Sequence, residues 1–243
     1  MASKPLLLGH RGFSAQFPEN TSLAFIKALE AGADGVECDL QRTRDGEIVV
    51  VHDEKADRTS SGKGRISELG LLELQKLDWG RGEKLLTLRD LLKIIPSKSL
   101  LNLELKHETL TLRYCQELAA ALKKSEIGRN LLISSFEHSL LIPFKKAGFR
   151  IGMLVGEEDS KRGVPAFLAS VFRLRPHYLN LPHELFERLG NRNARLFVNF
   201  LKWTGHRIAF WTINTQAQWK DVYALADVVI TDEVEQALRW RQN

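Results

Sequence analysis

The chain has 243 residues, 44% of them hydrophobic and 27% charged, with a net charge of +5. This length suits one large domain with an ordinary core, and the scattered Lys and Arg argue against a dedicated nucleic-acid surface while favouring small anionic substrates. Met1 to Pro5 leads into only three leucines before Gly9, too short for a secretory leader; no apolar run spans a bilayer, and the two cysteines, Cys38 and Cys115, read as buried thiols, so a cytoplasmic protein without membrane insertion is expected.

Leu6 to His10 is a short apolar first strand, with His10-Arg11-Gly12 at its end. Pro18-Glu19-Asn20-Thr21 opens a helix that Asn20 or Thr21 can cap; Phe25, Ile26 and Leu29 give it an apolar stripe and Gly32 stops it. Gly35 to Gln41 is the second strand. Asp45-Gly46 reads as a hairpin turn, with Glu47 to His52 as the return arm. If Asp45 and Gly46 are the two turn residues, Arg44 lies opposite Glu47, and Asp39 opposite His52. Residues 53–87 look like a small insertion with a short helix between Leu69 and Leu77. Thr87 opens a helix to Pro96, and a third strand lies in Ser99 to Lys106.

A helix from Thr109 to Lys124 follows. The alternation then repeats, with strands at Leu131–Phe136, Ile151–Val155, Tyr178–Leu181, Ile208–Ile213 and Val228–Thr231. The intervening helices end at Ala147 or run over Pro165–Phe172, within Ala194–Trp203, over Gln216–Leu225 and over Glu233–Trp240. Eight strand–helix units favour an α/β class (β/α)8 TIM barrel over an open sheet, with residues 1–243 as one domain. No nucleotide-binding glycine motif follows a strand.

Ligands of such barrels collect at the C-terminal strand ends. Three consecutive strands bring His10 and Arg11, then Glu37, Asp39 and His52, then Glu104 and Lys106 to one side of the mouth. Glu37 and Asp39 alternate on one strand and so share a face, whereas Cys38 points the other way. Adjacent inward acids are costly without a cation, and three carboxylates with no soft ligand suit Mg²⁺ or Ca²⁺. His10 and His52 suit general acid and base, and Arg11 and Lys106 suit an anionic substrate, Arg11 bidentately. The set reads as hydrolysis of a phosphate ester. Structural uses compete at single positions: Glu104 and Lys106 as an internal salt bridge, Asn20 as a cap, Asp53 as a backbone partner in the hairpin.

At these residues the chain resembles the glycerophosphodiester phosphodiesterase family. The matching motifs are His10-Arg11-Gly12, Pro18-Glu19-Asn20-Thr21, Glu37-Cys38-Asp39, Thr43-Arg44-Asp45-Gly46, His52-Asp53, Arg58-Thr59-Ser60-Ser61-Gly62-Lys63-Gly64 and Leu101-Asn102-Leu103-Glu104-Leu105-Lys106; Ser134-Ser135-Phe136, Phe210-Trp211-Thr212-Ile213-Asn214 and Val228-Val229-Ile230-Thr231-Asp232 extend the likeness. The resemblance implies a barrel with a small insertion and a divalent metal, Mg²⁺ or Ca²⁺, on Glu37, Asp39 and Glu104. It implies His10 and His52 as the acid/base pair, Arg11 on the phosphate, and Lys106 neutralising charge there. The implied reaction releases glycerol 3-phosphate and an alcohol such as choline or ethanolamine from a small glycerophosphodiester. Attack by the glycerol 2-hydroxyl and attack by water both fit. Phe13, Phe136 and Trp211 are candidates to line the pocket, Trp211 because it falls on a motif position. The rivals are a lysophospholipid-cleaving phospholipase D, which needs an apolar channel, and a non-catalytic binding barrel.

Overall fold

A computed structural model describes residues 4–124 and 130–242. The start of the expected leaderless N-terminus, residues 1–3, lies outside the described residues, as do residues 125–129 and 243 of the expected single domain.

The chain runs β1 (Leu6–His10), α1 (Ser22–Ala31), β2 (Gly35–Arg42), β3 (Ile48–Val50), α2 (Leu71–Gln75), α3 (Leu88–Ile94), β4 (Leu100–Leu105) and α4 (Leu112–Lys124). It continues with β5 (Leu131–Ser135), α5 (Leu141–Ala147), β6 (Arg150–Leu154), α6 (Glu157–Leu174), β7 (Tyr178–Pro182), α7 (Glu184–Leu189) and α8 (Asn191–Trp203). The last elements are β8 (Arg207–Trp211), α9 (Gln216–Val222), β9 (Val228–Thr231) and α10 (Val234–Gln242). All strands except β3 pair in parallel, and the β1–β2 pairing closes them into the expected eight-stranded barrel; β3 is an antiparallel extra strand on β2. α7 goes beyond the sequence expectation. Its six residues are too few to show a helical period, and it forms because Phe186 packs on His183 and Phe210.

Strict alternation sorts the strand residues. On β2, Val36, Cys38 and Leu40 join the core between barrel and helices, so Glu37, Asp39 and Gln41 face inward. On β4, Leu101, Leu103 and Leu105 go outward, leaving Asn102 and Glu104 inside. The lower interior is filled by Leu8, Leu100, Leu132, Tyr178, Ala209, Val228 and Ile230. Apolar plugging below confines the polar residues to the mouth. Both cysteines are free and buried, and Trp219 is buried against Trp240, whereas Trp203 is exposed.

The hairpin register corrects the expected one. Leu40 pairs with Val50 and Arg42 with Ile48, so the loop holds three residues, Arg44-Asp45-Gly46, with Gly46 at φ +91°. The Thr43 hydroxyl stabilises it by donating to Asp45 Oδ1 (2.5 Å) and accepting from the Glu47 amide (3.0 Å). Asp39 therefore bonds the Val51 amide, not His52, and His52 lies one residue beyond the ladder.

Residues 53–87 carry a separate small core of Ala56, Ile66, Leu74, Trp79 and Leu85 under Val49 and Val51. Leu74, Trp79 and Leu85 of this segment are buried in that core, with Leu69, Leu71 and Leu77 packed partly buried against it, whereas Leu72 is exposed. No described helix is long and apolar enough to cross a membrane.

Candidate active site

Strand register places the acids. His10 pairs with Glu37 across β1–β2, Glu37 with Asn102 across β2–β4, and Asp39 with Glu104 one step up. One carboxylate oxygen from each of Glu37, Asp39 and Glu104 lies within 4.8 Å of the others. All three side chains are buried. Burial and the Asp39 charge push Glu37 up to about 8. Burial also raises Glu104, against the pull of Lys106. Asp39 resists its burial and sits below the usual carboxylate range because Lys106 and Arg11 lie beside it. Glu37 Oε1 is buried without a hydrogen-bond partner among the described residues. An all-oxygen donor set with an orphaned carboxylate oxygen and a carboxyl displaced towards its neutral form fits a hard divalent cation.

Lys106 reaches the cavity at the barrel mouth and is also bound to the acids there. Its Nζ is 2.9 Å from Asp39 Oδ1 and also holds Glu104, the internal salt bridge that was the competing use of this pair. Arg11, at φ +54°, donates its amide to Glu37 (3.1 Å) and its Nη1 to Glu19 (2.9 Å), with Nε 3.4 Å from Asp39. This bend lies against α1, where a Cβ on Gly12 (φ +87°) would come within 2.6 Å of Ala24 backbone. Thr21, not Asn20, caps α1; Asn20 donates to Asp39 Oδ2 at 2.9 Å.

Each histidine is paired with an aspartate through Nδ1. His10 meets Asp232 Oδ1 at 2.7 Å, and Asp232 also accepts from Ser14 (2.7 Å) and Asn214 (2.6 Å). Although burial opposes it, those bonds hold Asp232 down at about 2. Burial disfavours charge on His10, yet Asp232 and Glu37 raise its pKa above the ordinary value. His52 meets Asp53 Oδ1 at 2.8 Å, while Gln41 Nε2 donates to the carbonyls of His52 (2.9 Å) and Asp53 (2.7 Å). Pairing at Nδ1 orients each ring and leaves Nε2 for chemistry.

His10, Arg11, Glu37, His52, Glu104, Lys106 and Trp211 all line one cavity of about 150 Å³. Asp39 is fully buried beside the lining residues Arg11 and Lys106. A second cavity of about 420 Å³ shares His52, Glu104, Lys106 and Phe136 with it. Trp211 donates Nε1 to the Asn180 carbonyl (3.1 Å) and stands edge-on to Phe136, ring centroids 5.7 Å apart. Phe13 does not reach the pocket; it is buried in the outer core against Phe17. Sequence reasoning assigned no role to Asp232, Glu19, Arg58 or Gln41. Glu19, Arg58 and Asp232 fall within quoted motifs, but no local spacing ties them to the histidines.

Residues 10–236 match the model of the glycerophosphoryl diester phosphodiesterase family. A glycerophosphodiester phosphodiesterase of Caldanaerobacter subterraneus is 34% identical over 244 residues, covering 96% of each chain. The crystal structure of a glycerophosphodiester phosphodiesterase from Thermotoga maritima superimposes with a TM-score of 0.83 at 33% identity, covering 98% of this chain and 99% of that one. An Oleispira antarctica phosphodiesterase, solved in complex with the product sn-glycerol-3-phosphate, gives 0.84 at 26% identity over 99% and 98%.

Proposed function

Because the chain belongs to the glycerophosphoryl diester phosphodiesterase family, we propose that His10 and His52 serve as the acid/base pair of a metal-dependent glycerophosphodiester hydrolysis in its barrel mouth. The enzyme class is that of a glycerophosphodiester phosphodiesterase. The observation that carries the finer reading is the pairing of both histidines with aspartates around one cavity that also holds the carboxylate cluster.

Glu37, Asp39 and Glu104 would hold Mg²⁺ or Ca²⁺, which supplies Lewis-acid polarisation of a phosphoryl oxygen when bound. Arg11 presents its guanidinium to the phosphate, and Lys106 offsets charge developing there as its hold on the carboxylates relaxes. In attack by water, one histidine accepts the water's proton through Nε2 and the other returns a proton to the departing alcohol oxygen; in attack by the 2-hydroxyl the same transfers give a cyclic phosphate, which water then opens to glycerol 3-phosphate. Trp211 and Phe136 form the apolar wall for the carbon skeleton. The products are glycerol 3-phosphate and an alcohol such as choline or ethanolamine, a reading supported by the product bound to the Oleispira relative. It treats residues 1–243 as one domain with 53–87 as its insertion, in a cytoplasm that keeps Cys38 and Cys115 reduced.

The test is glycerol 3-phosphate release from glycerophosphocholine and glycerophosphoethanolamine with Mg²⁺, with Ca²⁺ and with a chelator. Metal-dependent release is expected; release untouched by the chelator would remove the metal from the reading, and no release at all would remove the reaction. A substrate analogue carrying a 2-methoxy group separates the two modes of attack. Undiminished turnover would exclude obligatory attack by the 2-hydroxyl.

A further inference from the structure

Arg58 touches neither the carboxylate cluster nor the cavity, yet it joins the segment after β1 directly to the segment after β3, which the strands connect only through β2. We propose that Arg58 is a positioning residue that sets Arg11 and His52 relative to one another by clamping Glu19 and Asp53 in a single guanidinium. The inference rests on the functional reading above for what Arg11 and His52 do.

The clamp consists of four hydrogen bonds. Nε and Nη2 donate to Asp53 Oδ2 (2.6 Å) and Oδ1 (2.9 Å), and Nη1 and Nη2 donate to Glu19 Oε2 (2.7 Å) and Oε1 (2.8 Å). Beyond the clamp, Glu19 Oε1 accepts from Arg11 Nη1 (2.9 Å), and Asp53 Oδ1 sits on His52 Nδ1 (2.8 Å). The path is therefore Arg11, Glu19, Arg58, Asp53, His52, with a charge-assisted bond at every link. A planar guanidinium engaging a carboxylate along each of two edges fixes distance and angle together, which an ammonium cannot do.

Isolated surface ion pairs contribute little to stability, and the Arg58 side chain is 52% exposed. The consequence here is geometric. Glu19 and Asp53 share one cation, so removing it leaves two neighbouring carboxylates repelling each other, each attached to a group that faces the substrate. The anchor of the clamp is firm: Ala56, two residues away, is fully buried in the core of the 53–87 segment. The low pKa of Asp53, about 2, has Arg58 as its first cause.

The experiment measures kcat and KM on glycerophosphocholine, together with Tm, for the parent, Arg58→Ala and Arg58→Lys. A misplacement of about 1 Å at a reacting group can cost on the order of 100-fold, so Arg58→Ala should lose between about tenfold and about 100-fold in kcat with its Tm retained. Ethylguanidinium, the part of the side chain removed, should restore much of that loss, and Arg58→Lys should remain impaired. A kcat within about twofold of the parent in Arg58→Lys, or a loss in folded Arg58→Ala that ethylguanidinium leaves untouched, overturns the clamp. If the parent itself releases no glycerol 3-phosphate, the functional reading fails and the clamp is judged by the histidine ring spectrum. A displaced His52 Cε1–H resonance in Arg58→Ala with His10 unmoved supports it, and an unmoved His52 overturns it.

Discussion

His10 and His52 reach the same cavity from two differently built regions. His10 stands on a barrel strand, hydrogen-bonded on both sides, and its aspartate follows the neighbouring strand β9 within a closed set of bonds from Ser14 and Asn214. His52 stands just past the end of β3, a three-residue strand, beside an aspartate next to it in sequence. Its place depends on Gln41 holding two carbonyls and on Arg58 bracing from the 53–87 segment. Backbone ladders position the first half of the site. Side-chain hydrogen bonds and a small satellite core position the second. The barrel ladder holds the first half and the satellite core the second, so local opening is expected to be easier in the second half than in the first.

The largest expected effect falls on the strand half. Asp39 is fully buried and contacts Lys106, Arg11 and Asn20, so Asp39→Ala removes the acid that Lys106 and Arg11 share, leaving Lys106 on Glu104 alone and Arg11 on Glu19. A stability loss of roughly 3–5 kcal/mol in urea unfolding is expected, together with loss of metal binding by calorimetry. Stability and metal affinity like those of the parent would contradict the assignment. Glu37→Ala should likewise weaken the metal titration.

Next come the histidines. His10→Ala and His52→Ala should each lower turnover by about 10²-fold or more, the usual contribution of acid/base help. Near-normal turnover in either removes that residue from the mechanism. Replacing the aspartates compares the two halves directly. Losing a charge-assisted bond of roughly 1.5–3 kcal/mol predicts a decrease on the order of tenfold to 100-fold for Asp232→Asn and for Asp53→Asn. The difference should appear in hydrogen exchange: Asp53→Asn should speed exchange across 53–87 and leave the barrel strands unchanged. Equal exchange in both variants would mean that the satellite is as rigid as the barrel.

The smallest effect is in the pH dependence. Asp53 and Asp232 are both held at about 2, from an ordinary value of 3.8. An acid depressed on folding contributes stability above its unfolded value, and that contribution is lost as pH falls from 3.8 through about 2. Arg58→Ala should raise the Asp53 titration and leave Asp232 in place, as followed by carboxyl ¹³C resonances. A common shift of both would show that the halves are electrostatically one unit.

Much of the strand half was legible in the sequence. Alternation on Val36-Glu37-Cys38-Asp39-Leu40 and Leu101-Asn102-Leu103-Glu104-Leu105 separates core residues from mouth residues wherever one face must be apolar. His10 and the three carboxylates follow from that rule once eight strand–helix units imply a barrel. The hairpin shows where the rule ends. Asp45-Gly46 marks a turn, but the Thr43 side chain closes a three-residue loop, and one added residue moves His52 off the ladder. Lys106 illustrates a second limit, since the acids of one mouth compete for the same cation as an incoming phosphate.

By itself, the sequence determined the barrel, the inward acids and the resemblance to a family, and marked His10 and His52 as candidates, because each depends on short-range periodicity or contiguous motifs. Only the tertiary structure decided which partners orient those residues. Asp232 lies 222 positions from His10, and Glu19 lies 39 positions from Arg58. Such pairings arise from barrel closure and from the packing of a satellite core, and no local period along the chain encodes which distant side chains those events bring within hydrogen-bonding distance.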